Sequence, residues 1–212
     1  MQESSVLLST AYLAPVQYYT KLLMYPNVYI ENEENYCKQT YRNRCNILTA
    51  NGILNLSIPI LRTGEKIPTK EIQIDNSKRW KQIHWRAIES AYRSSPFYLY
   101  YADEIHHTLF KSFEFLADLN KALLVQTIDL LQIKTKIQYT SDFKKVPENT
   151  IDYSEIIHPK TRMQKPDNNF VCEKYYQVFE SKFEFVPNLS ILDLLFNMGP
   201  SSEAVLRKSI RI

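Results

Sequence analysis

One histidine stands within a stretch that the spacing of apolar residues predicts to be a helix, from Lys78 to Arg93. His84 shares its predicted face with Trp80 and Ile88. A neutral imidazole could act as a general base near pH 7. The same position also fits a histidine at the edge of the core that hydrogen-bonds a neighbour, since the surrounding sequence supplies no carboxylate partner. A catalytic and a packed interpretation of His84 therefore both stay open.

Three cations alternate with other residues as the chain enters a predicted hairpin: Lys38, Arg42 and Arg44. If this stretch is an extended strand, the three share one face. One interpretation of such a row is an anion site for phosphate or carboxylate, in which arginine donates paired hydrogen bonds. The alternative is a solvated edge strand whose charges are neutralised by the acidic loop at residues 31–34. Local sequence favours this alternative.

Two further groups of residues could do chemistry. His106 and His107 are adjacent, and neighbours on a helix point about 100° apart, so the pair predicts a surface position rather than a metal site. The aromatic string from Phe97 to Tyr101 could form a stacking platform for sugars or bases, although packing between layers is the favoured interpretation.

Composition excludes several classes of protein. The three glycines, Gly52, Gly64 and Gly199, lie too far apart for a dinucleotide-binding or Walker loop. The three cysteines contain no C-x-x-C pair, which argues against a disulfide framework and a zinc site. No residue pattern identifies a cofactor or a metal.

Charge and hydropathy set limits on partners. A net charge of +3 is too small to indicate nucleic-acid binding, so we expect no nucleic-acid partner. No run of about 20 apolar residues predicts a membrane span. The N-terminus has no basic start, as a signal peptide would, and a cytoplasmic location is expected.

The predicted elements give an α/β or α+β fold class, with a mixed sheet, a hairpin, flanking helices and a helical C-terminal portion. Strands are predicted from residue 4 and from Asn27, with a helix after Pro15 between them. Asn51-Gly52 favours a tight hairpin turn, and a further short strand is expected over 70–75. Later helices follow Ser95-Pro96, cover 116–133 and begin near Ser190.

Three regions are predicted along the chain. Residues 1–143 form an α/β core domain. Residues 144–169 are polar, contain three prolines and form a loop or linker. Residues 170–212 form a C-terminal segment that packs on the core.

Four blocks in order give the chain a resemblance to the WbqC-like family of bacterial proteins. They are AYLAPVQYYTKLL, ENEENYCKQTYRNRCNIL, WKQIHWRAIESAYRSSPFY and NLSILDLLFNMGP. The Asn-Arg pair of the second block is present as Asn43-Arg44. The chain departs from the family in the first block, where a glutamine, a proline and a glycine are missing, and Asn32-Glu33 stand where two aspartates are typical.

The resemblance implies a role in the synthesis of bacterial surface polysaccharides, because the family is associated with gene clusters for these polymers. It leads to the hypothesis of a cytoplasmic transferase acting on an activated sugar. In this hypothesis the protein binds a sugar nucleotide or an acyl donor, and His84 is the general base. The predicted substrate-binding residues are Lys38, Asn43, Arg44, Tyr12 and Tyr18.

The departures in the first block support a different hypothesis, a binding or assembly protein of the same pathway without catalysis. Its partner surface would include the tyrosine-rich stretch and the C-terminal helix LSILDLLF, and a homo-oligomer is expected under this hypothesis.

Overall fold

The computed structural model describes residues 5–61 and 66–211. Its central sheet has four parallel strands in the order β5-β2-β1-β6. These strands are β1 (Ser5–Ser9), β2 (Asn27–Glu31), β5 (Lys136–Tyr139) and β6 (Thr150–Asp152). The central strand β1 is buried along nearly its whole length, as expected of a parallel strand covered on both faces.

A separate antiparallel hairpin follows the second strand. It consists of β3 (Arg44–Thr49) and β4 (Gly52–Ser57), with Arg44 opposite Ser57 and Thr49 opposite Gly52. The turn that Asn51-Gly52 predicted is therefore confirmed, and Gly52 adopts a positive φ of 100°. Parallel and antiparallel strands occur together in the chain, but in two sheets, and the fold class is α/β.

Helices pack against both sheets. They are α1 (Val16–Met24), α2 (Trp80–Tyr92), α3 (Tyr98–Phe110), α4 (Leu116–Leu130), α5 (Glu180–Phe183), α6 (Ile191–Met198) and α7 (Ser202–Lys208). Among the described residues, no helix combines the length and the apolar character needed to cross a membrane.

Helix α6 lies between two hydrophobic clusters. Leu192 and Phe196 belong to the cluster around the hairpin and α2 to α4, whereas Leu194 and Leu195 belong to the cluster around the parallel sheet. A helix that is apolar on all sides is expected to be buried on all sides. The helix is capped by Ser190 Oγ at its start and ends at Gly199, as its sequence predicts.

Both steric contact and backbone conformation require a glycine at position 199. Its φ is +51°, and a Cβ at this position would clash with the ring of Phe97. The backbone N–H of Phe97 also donates to the carbonyl of Phe196, at 2.9 Å. The end of α6 is therefore fixed against the start of α3.

The region 144–169 contributes a strand to the central sheet, because β6 pairs with β1. It is also held to α1 through Asp167, whose carboxylate lies 2.7 Å from Lys21 Nζ. Both side chains are almost fully buried. Gln17 and Tyr153 donate further hydrogen bonds to the same carboxylate. The segment is mostly irregular, but it is anchored at both of these points.

Two local predictions are wrong, the strand over 70–75 and the strand that would carry the row of cations. The strand expected over 70–75 is instead a 3-10 turn at Thr69–Glu71 followed by single bridges from Gln73 and Ile74 to separate partners. Ile72 and Ile74 are buried, so the apolar alternation reflects packing between the hairpin and α4 rather than a strand.

The row of cations does not lie on a strand either. Residues 38–43 form turns, and β3 begins only at Arg44. Arg42 turns back to pair with Glu34, with Nε to Oε1 at 2.8 Å and Nη2 to Oε2 at 2.5 Å. The acidic loop therefore neutralises Arg42, as one of the two interpretations predicts. Lys38 and Arg44 do not pair with this loop.

Candidate functional site

A cavity of about 1050 Å³ lies beside the start of the hairpin, and it brings together three of the predicted substrate-binding residues, Lys38, Asn43 and Arg44. We call it the basic cavity, because the charged residues among its described lining are Lys38, Arg44 and Lys66. None of the described residues that line it is acidic. The remaining lining consists of Tyr36, Cys37, Gln39, Ile58, Pro59, Ile60, Leu61, Ile67 and Ile72.

Two buried polar atoms at this cavity lack a hydrogen-bond partner. They are the Nε of Arg44 and the Oδ1 of Asn43. Asn43 is buried and is held by Ile58, since its Nδ2 donates to the Ile58 carbonyl at 2.9 Å and its own carbonyl accepts from Ile58 N at 2.8 Å. A buried donor or acceptor left unpaired costs about 1–3 kcal/mol. Asn43 and Arg44, which both line the cavity, therefore each keep a covered polar atom that the protein does not satisfy.

Tyr36 adds a third polar group to this wall. Burial raises the pKa of Tyr36 to about 12, although the positive charges of Arg44 and Arg42 act in the opposite direction. The phenol is therefore protonated at neutral pH, and the hydroxyl can donate a hydrogen bond to an anion.

A second cavity of about 630 Å³ lies at the edge of the parallel sheet where the strands end. The loops after β2, β5 and β6 supply its walls, and we call it the sheet-edge cavity. Because the carboxyl ends of parallel strands meet at one edge, this is the edge at which open α/β sheets bind ligands. It is lined by Glu33, Glu34, Asn35, Cys37, Thr40, Arg42, Phe143, Lys144, Ser154, Glu155, Ile157, His158, Met163 and Lys165.

Glu31, at the end of β2, holds two of these loops in place. Its fully buried carboxylate accepts hydrogen bonds from the backbone N–H of Glu33 and of Lys144, both at 2.7 Å, and from Thr140 Oγ1 at 2.8 Å. Hydrogen bonds to an ionised group are about twice as strong as neutral ones. Glu31 therefore organises the sheet-edge cavity without being part of its lining.

His84 lies in the core and not at either cavity. It is 3% exposed, its Nδ1 lies 3.0 Å from the Tyr12 hydroxyl and its Nε2 lies 3.2 Å from the Ser57 carbonyl. Burial lowers the pKa of His84 to about 4, with the bond to Ser57 acting in the opposite direction. This geometry is that of the packed interpretation, and the role of general base stays a prediction that the placement of His84 does not favour.

The two predicted tyrosines are also placed apart from the basic cavity. Tyr12 is fully buried against His84. Tyr18 is buried, and its hydroxyl donates to the Ser9 carbonyl at 3.0 Å. Tyr18 does line a cavity of about 20 Å³ together with Ser9 and Arg42, but this space is sufficient only for a single water molecule.

The start of α1 is covered by the C-terminal segment. The backbone N–H of Val16 donates to the Leu189 carbonyl at 3.0 Å, and that of Gln17 donates to Asn188 Oδ1 at 2.9 Å. These donors, which could otherwise bind phosphate at the beginning of a helix, are already used inside the protein.

Sequence reasoning missed Lys66, Tyr36 and the whole sheet-edge cavity. Glu31 carried a usable signal, since it is an acidic residue at the end of an apolar strand. Lys66 carried none, because the loop after the hairpin has no pattern that predicts its place at the basic cavity.

Comparison with known proteins identifies a family and a relative of this chain. The model of the WbqC-like protein family matches residues 10–166, which is more than half of the chain. The fourth block of the resemblance lies outside this range. The chain is also similar to uncharacterized protein Rv1507c of Mycobacterium tuberculosis (strain ATCC 25618 / H37Rv), with 26% identity over 208 residues that cover 84% of this chain and 86% of the relative. No solved structure matches the chain.

Proposed function

This chain belongs to the WbqC-like protein family, and we propose that it binds the anionic part of an activated sugar or acyl donor in the basic cavity. The proposed activity is transfer of a group to or from an activated sugar, in the cytoplasm, during synthesis of bacterial surface polysaccharide. The polysaccharide setting rests on the family resemblance, whereas the anionic ligand rests on the cavity.

The observation that carries the proposal is a cavity whose described lining has three cations, among them Arg44 with its unpaired Nε, and no carboxylate. Like charges that line one cavity repel one another, so the binding of an anion among them is favoured. Arginine is well suited to a phosphate, because its planar guanidinium donates two parallel hydrogen bonds.

The dimensions of the cavity fit a donor larger than phosphate alone. Small-molecule sites commonly enclose about 300–1000 Å³, and the basic cavity reaches the top of that range. Its apolar wall, which includes Ile58, Ile60 and Ile67, can contact the uncharged part of a nucleotide or of an acyl donor. Phosphate groups would lie against Arg44 and Lys38, and Asn43 would orient the group next to them.

A non-catalytic binding protein of the same pathway is the second candidate, and the burial of His84 is the observation that favours it. Both ring nitrogens of His84 are occupied, and the side chain lines neither cavity. Under this candidate the basic cavity still binds the donor, but the donor is not consumed.

Thermal unfolding against a panel of nucleotides, nucleotide sugars and acyl-CoA compounds tests the binding part of the proposal. A ligand that binds only the folded state stabilises it by mass action, by about 2.7 kcal/mol at a hundred times its Kd. We expect one phosphate-bearing class to stabilise the protein, and this shift should be absent from Arg44→Gln.

The matched control is Arg86→Gln, which removes an exposed cation from α2, outside the lining of the basic cavity. A panel without any stabilising compound, or equal shifts in Arg44→Gln and wild type, would refute the proposed binding site. Chromatography of the identified donor after incubation with an extract of sugar acceptors then separates the candidates, since a transferase consumes the donor and a binding protein does not.

A further inference from the structure

We infer that the sheet-edge cavity is a second substrate site, and that it binds a neutral, polyhydroxylated sugar ring. This inference rests on the proposed function, because it assigns the sugar and the anionic donor to two different cavities. The two cavities are neighbours, since Cys37 is part of the lining of both.

The charges of the sheet-edge cavity are balanced, in contrast to those of the basic cavity. Every Asp, Glu, Lys or Arg side chain among the described residues of its lining is in an ion pair. Two pairs lie within the lining, Arg42 with Glu34 at 2.5 Å and Lys165 with Glu155 at 2.9 Å. The other two charged lining residues are paired with residues outside it: Glu33 with Lys70 at 2.8 Å and Lys144 with Asp152 at 2.7 Å.

His158 adds no charge to this balance. Its Nδ1 accepts a hydrogen bond from the Lys160 N–H, and burial together with the cations of Lys160 and Arg42 lowers the pKa of His158 below its usual value. A phosphate group would meet three carboxylates as well as three cations here, so this cavity lacks the excess of positive charge that the basic cavity offers an anion.

Paired carboxylates and cations suit hydroxyl groups. A sugar hydroxyl both donates and accepts hydrogen bonds, so it can bridge a carboxylate oxygen and a neighbouring N–H donor without leaving either charge unpaired. Ser154 and Thr40 add hydroxyl groups to the lining. The described lining therefore offers both donors and acceptors, and its three acidic and three basic residues balance in charge.

Phe143 supplies the apolar surface that a sugar ring requires. Its side chain is 62% exposed, and it lies on the wall of the cavity together with Met163, which is 54% exposed. Large apolar side chains with this exposure at a cavity are expected to be covered when a ligand binds. An aromatic face that covers the C–H groups of a pyranose, beside groups that bind its hydroxyls, is the combination this ligand needs.

The rate at which iodoacetamide alkylates Cys37 tests the inference, because a ligand in either cavity shields this thiol. Cys37 is exposed, Cys45 is buried, and burial raises the pKa of Cys172 to about 11, so mass spectrometry can follow the Cys37 peptide selectively. The probes are methyl glucoside, methyl N-acetylglucosaminide and methyl rhamnoside for the sheet-edge cavity, and UDP for the basic cavity.

We expect at least one methyl glycoside to slow alkylation by about tenfold at ten times its Kd, as mass action requires when the bound thiol is shielded. Phe143→Ala should abolish this protection, whereas Arg44→Gln should leave it unchanged. Tyr100→Ala, which removes an aromatic side chain of similar exposure from α3, is the matched control and should also leave it unchanged.

The results separate the two proposals. If UDP protects Cys37 in an Arg44-dependent way and no glycoside does, the sugar site is refuted and the proposed function stands. If glycosides protect in a Phe143-dependent way, and neither UDP nor any compound of the thermal panel protects in an Arg44-dependent way, the sugar site stands and the anionic donor site is refuted. Protection by glycosides that survives Phe143→Ala also overturns the inference.

Discussion

Tyr12 and His84 form a closed hydrogen-bonded pair in the core, with 3.0 Å between the tyrosine hydroxyl and Nδ1. Since the Ser57 carbonyl can only accept, Nε2 carries the proton and Nδ1 accepts from Tyr12. The imidazole is therefore neutral and in one tautomer. The lone pair of Nδ1 accepts the hydrogen bond of the Tyr12 hydroxyl, and Tyr12 is itself fully buried.

The first prediction concerns the pH dependence conferred by His84. Burial lowers the pKa of His84 from 6.5 to about 4, so between these values the unfolded chain binds a proton that the folded chain does not. Stability must therefore fall as pH falls through this window, by roughly 3 kcal/mol for this group. His84→Gln keeps a donor for Ser57 and removes the titration.

Urea unfolding at several pH values measures this effect. The difference in unfolding free energy between wild type and His84→Gln should shrink as pH is lowered from 7 to 4. A constant difference over this range would show that His84 is not a buried neutral histidine.

Asp193 should produce a pH dependence of the opposite sign. Its buried carboxylate accepts hydrogen bonds from Tyr175 and Gln177, and burial raises the pKa of Asp193 to about 6 in spite of them. Between pH 4 and 6 the folded state binds the extra proton, so this group stabilises the protein as pH falls, by roughly 3 kcal/mol. The advantage of wild type over Asp193→Asn should therefore grow on acidification, and an advantage that shrinks would contradict the assignment.

The ion pair between Lys21 and Asp167 should be important for stability. Asp167→Ala leaves the ammonium of Lys21 buried without its partner, and breaking a buried pair costs about 3–5 kcal/mol. The double variant with Lys21→Met lacks the unpaired ammonium and should recover part of the lost unfolding free energy. A double-mutant cycle in urea measures the coupling, and additive effects of the two substitutions would show that the pair is not coupled.

Glu31 should control the order of the loops around the sheet-edge cavity. Glu31→Ala removes the acceptor of the backbone N–H groups of Glu33 and Lys144, so both amides should exchange with deuterium faster. Glu114→Ala, which removes an exposed carboxylate bonded to Gln73, is the matched control. Unchanged exchange in Glu31→Ala would mean that these loops are fixed by other contacts.

Elements governed by local chemistry were predictable from the sequence. The Asn51-Gly52 turn and the limits of α6 at Ser190 and Gly199 depend on backbone preferences of a few neighbouring residues, and the structure confirms them. Strand β6 was missed because three residues in a polar segment have no periodic pattern, and only pairing with β1 makes them a strand.

The site was predictable only in part, for the same reason. Asn43-Arg44 stood out by motif, and the structure places both at the basic cavity with Lys38. Whether a cation is neutralised depends on tertiary contacts. Arg42 and Arg44 look alike in the sequence, yet one is paired with Glu34 and the other has an unpaired Nε. The burial of His84 between Tyr12 and Ser57 likewise depends on residues far away in the chain.

Calorimetric titration of the protein with the nucleotide-bearing ligand found in the thermal panel tests the central claim most directly. Hydrogen bonds to charged groups contribute about 1.5–3 kcal/mol, so we predict that Arg44→Gln raises Kd by about tenfold to a hundredfold. Arg86→Gln should bind like wild type. Equal affinity of Arg44→Gln and wild type would contradict the assignment of the basic cavity as the anion site.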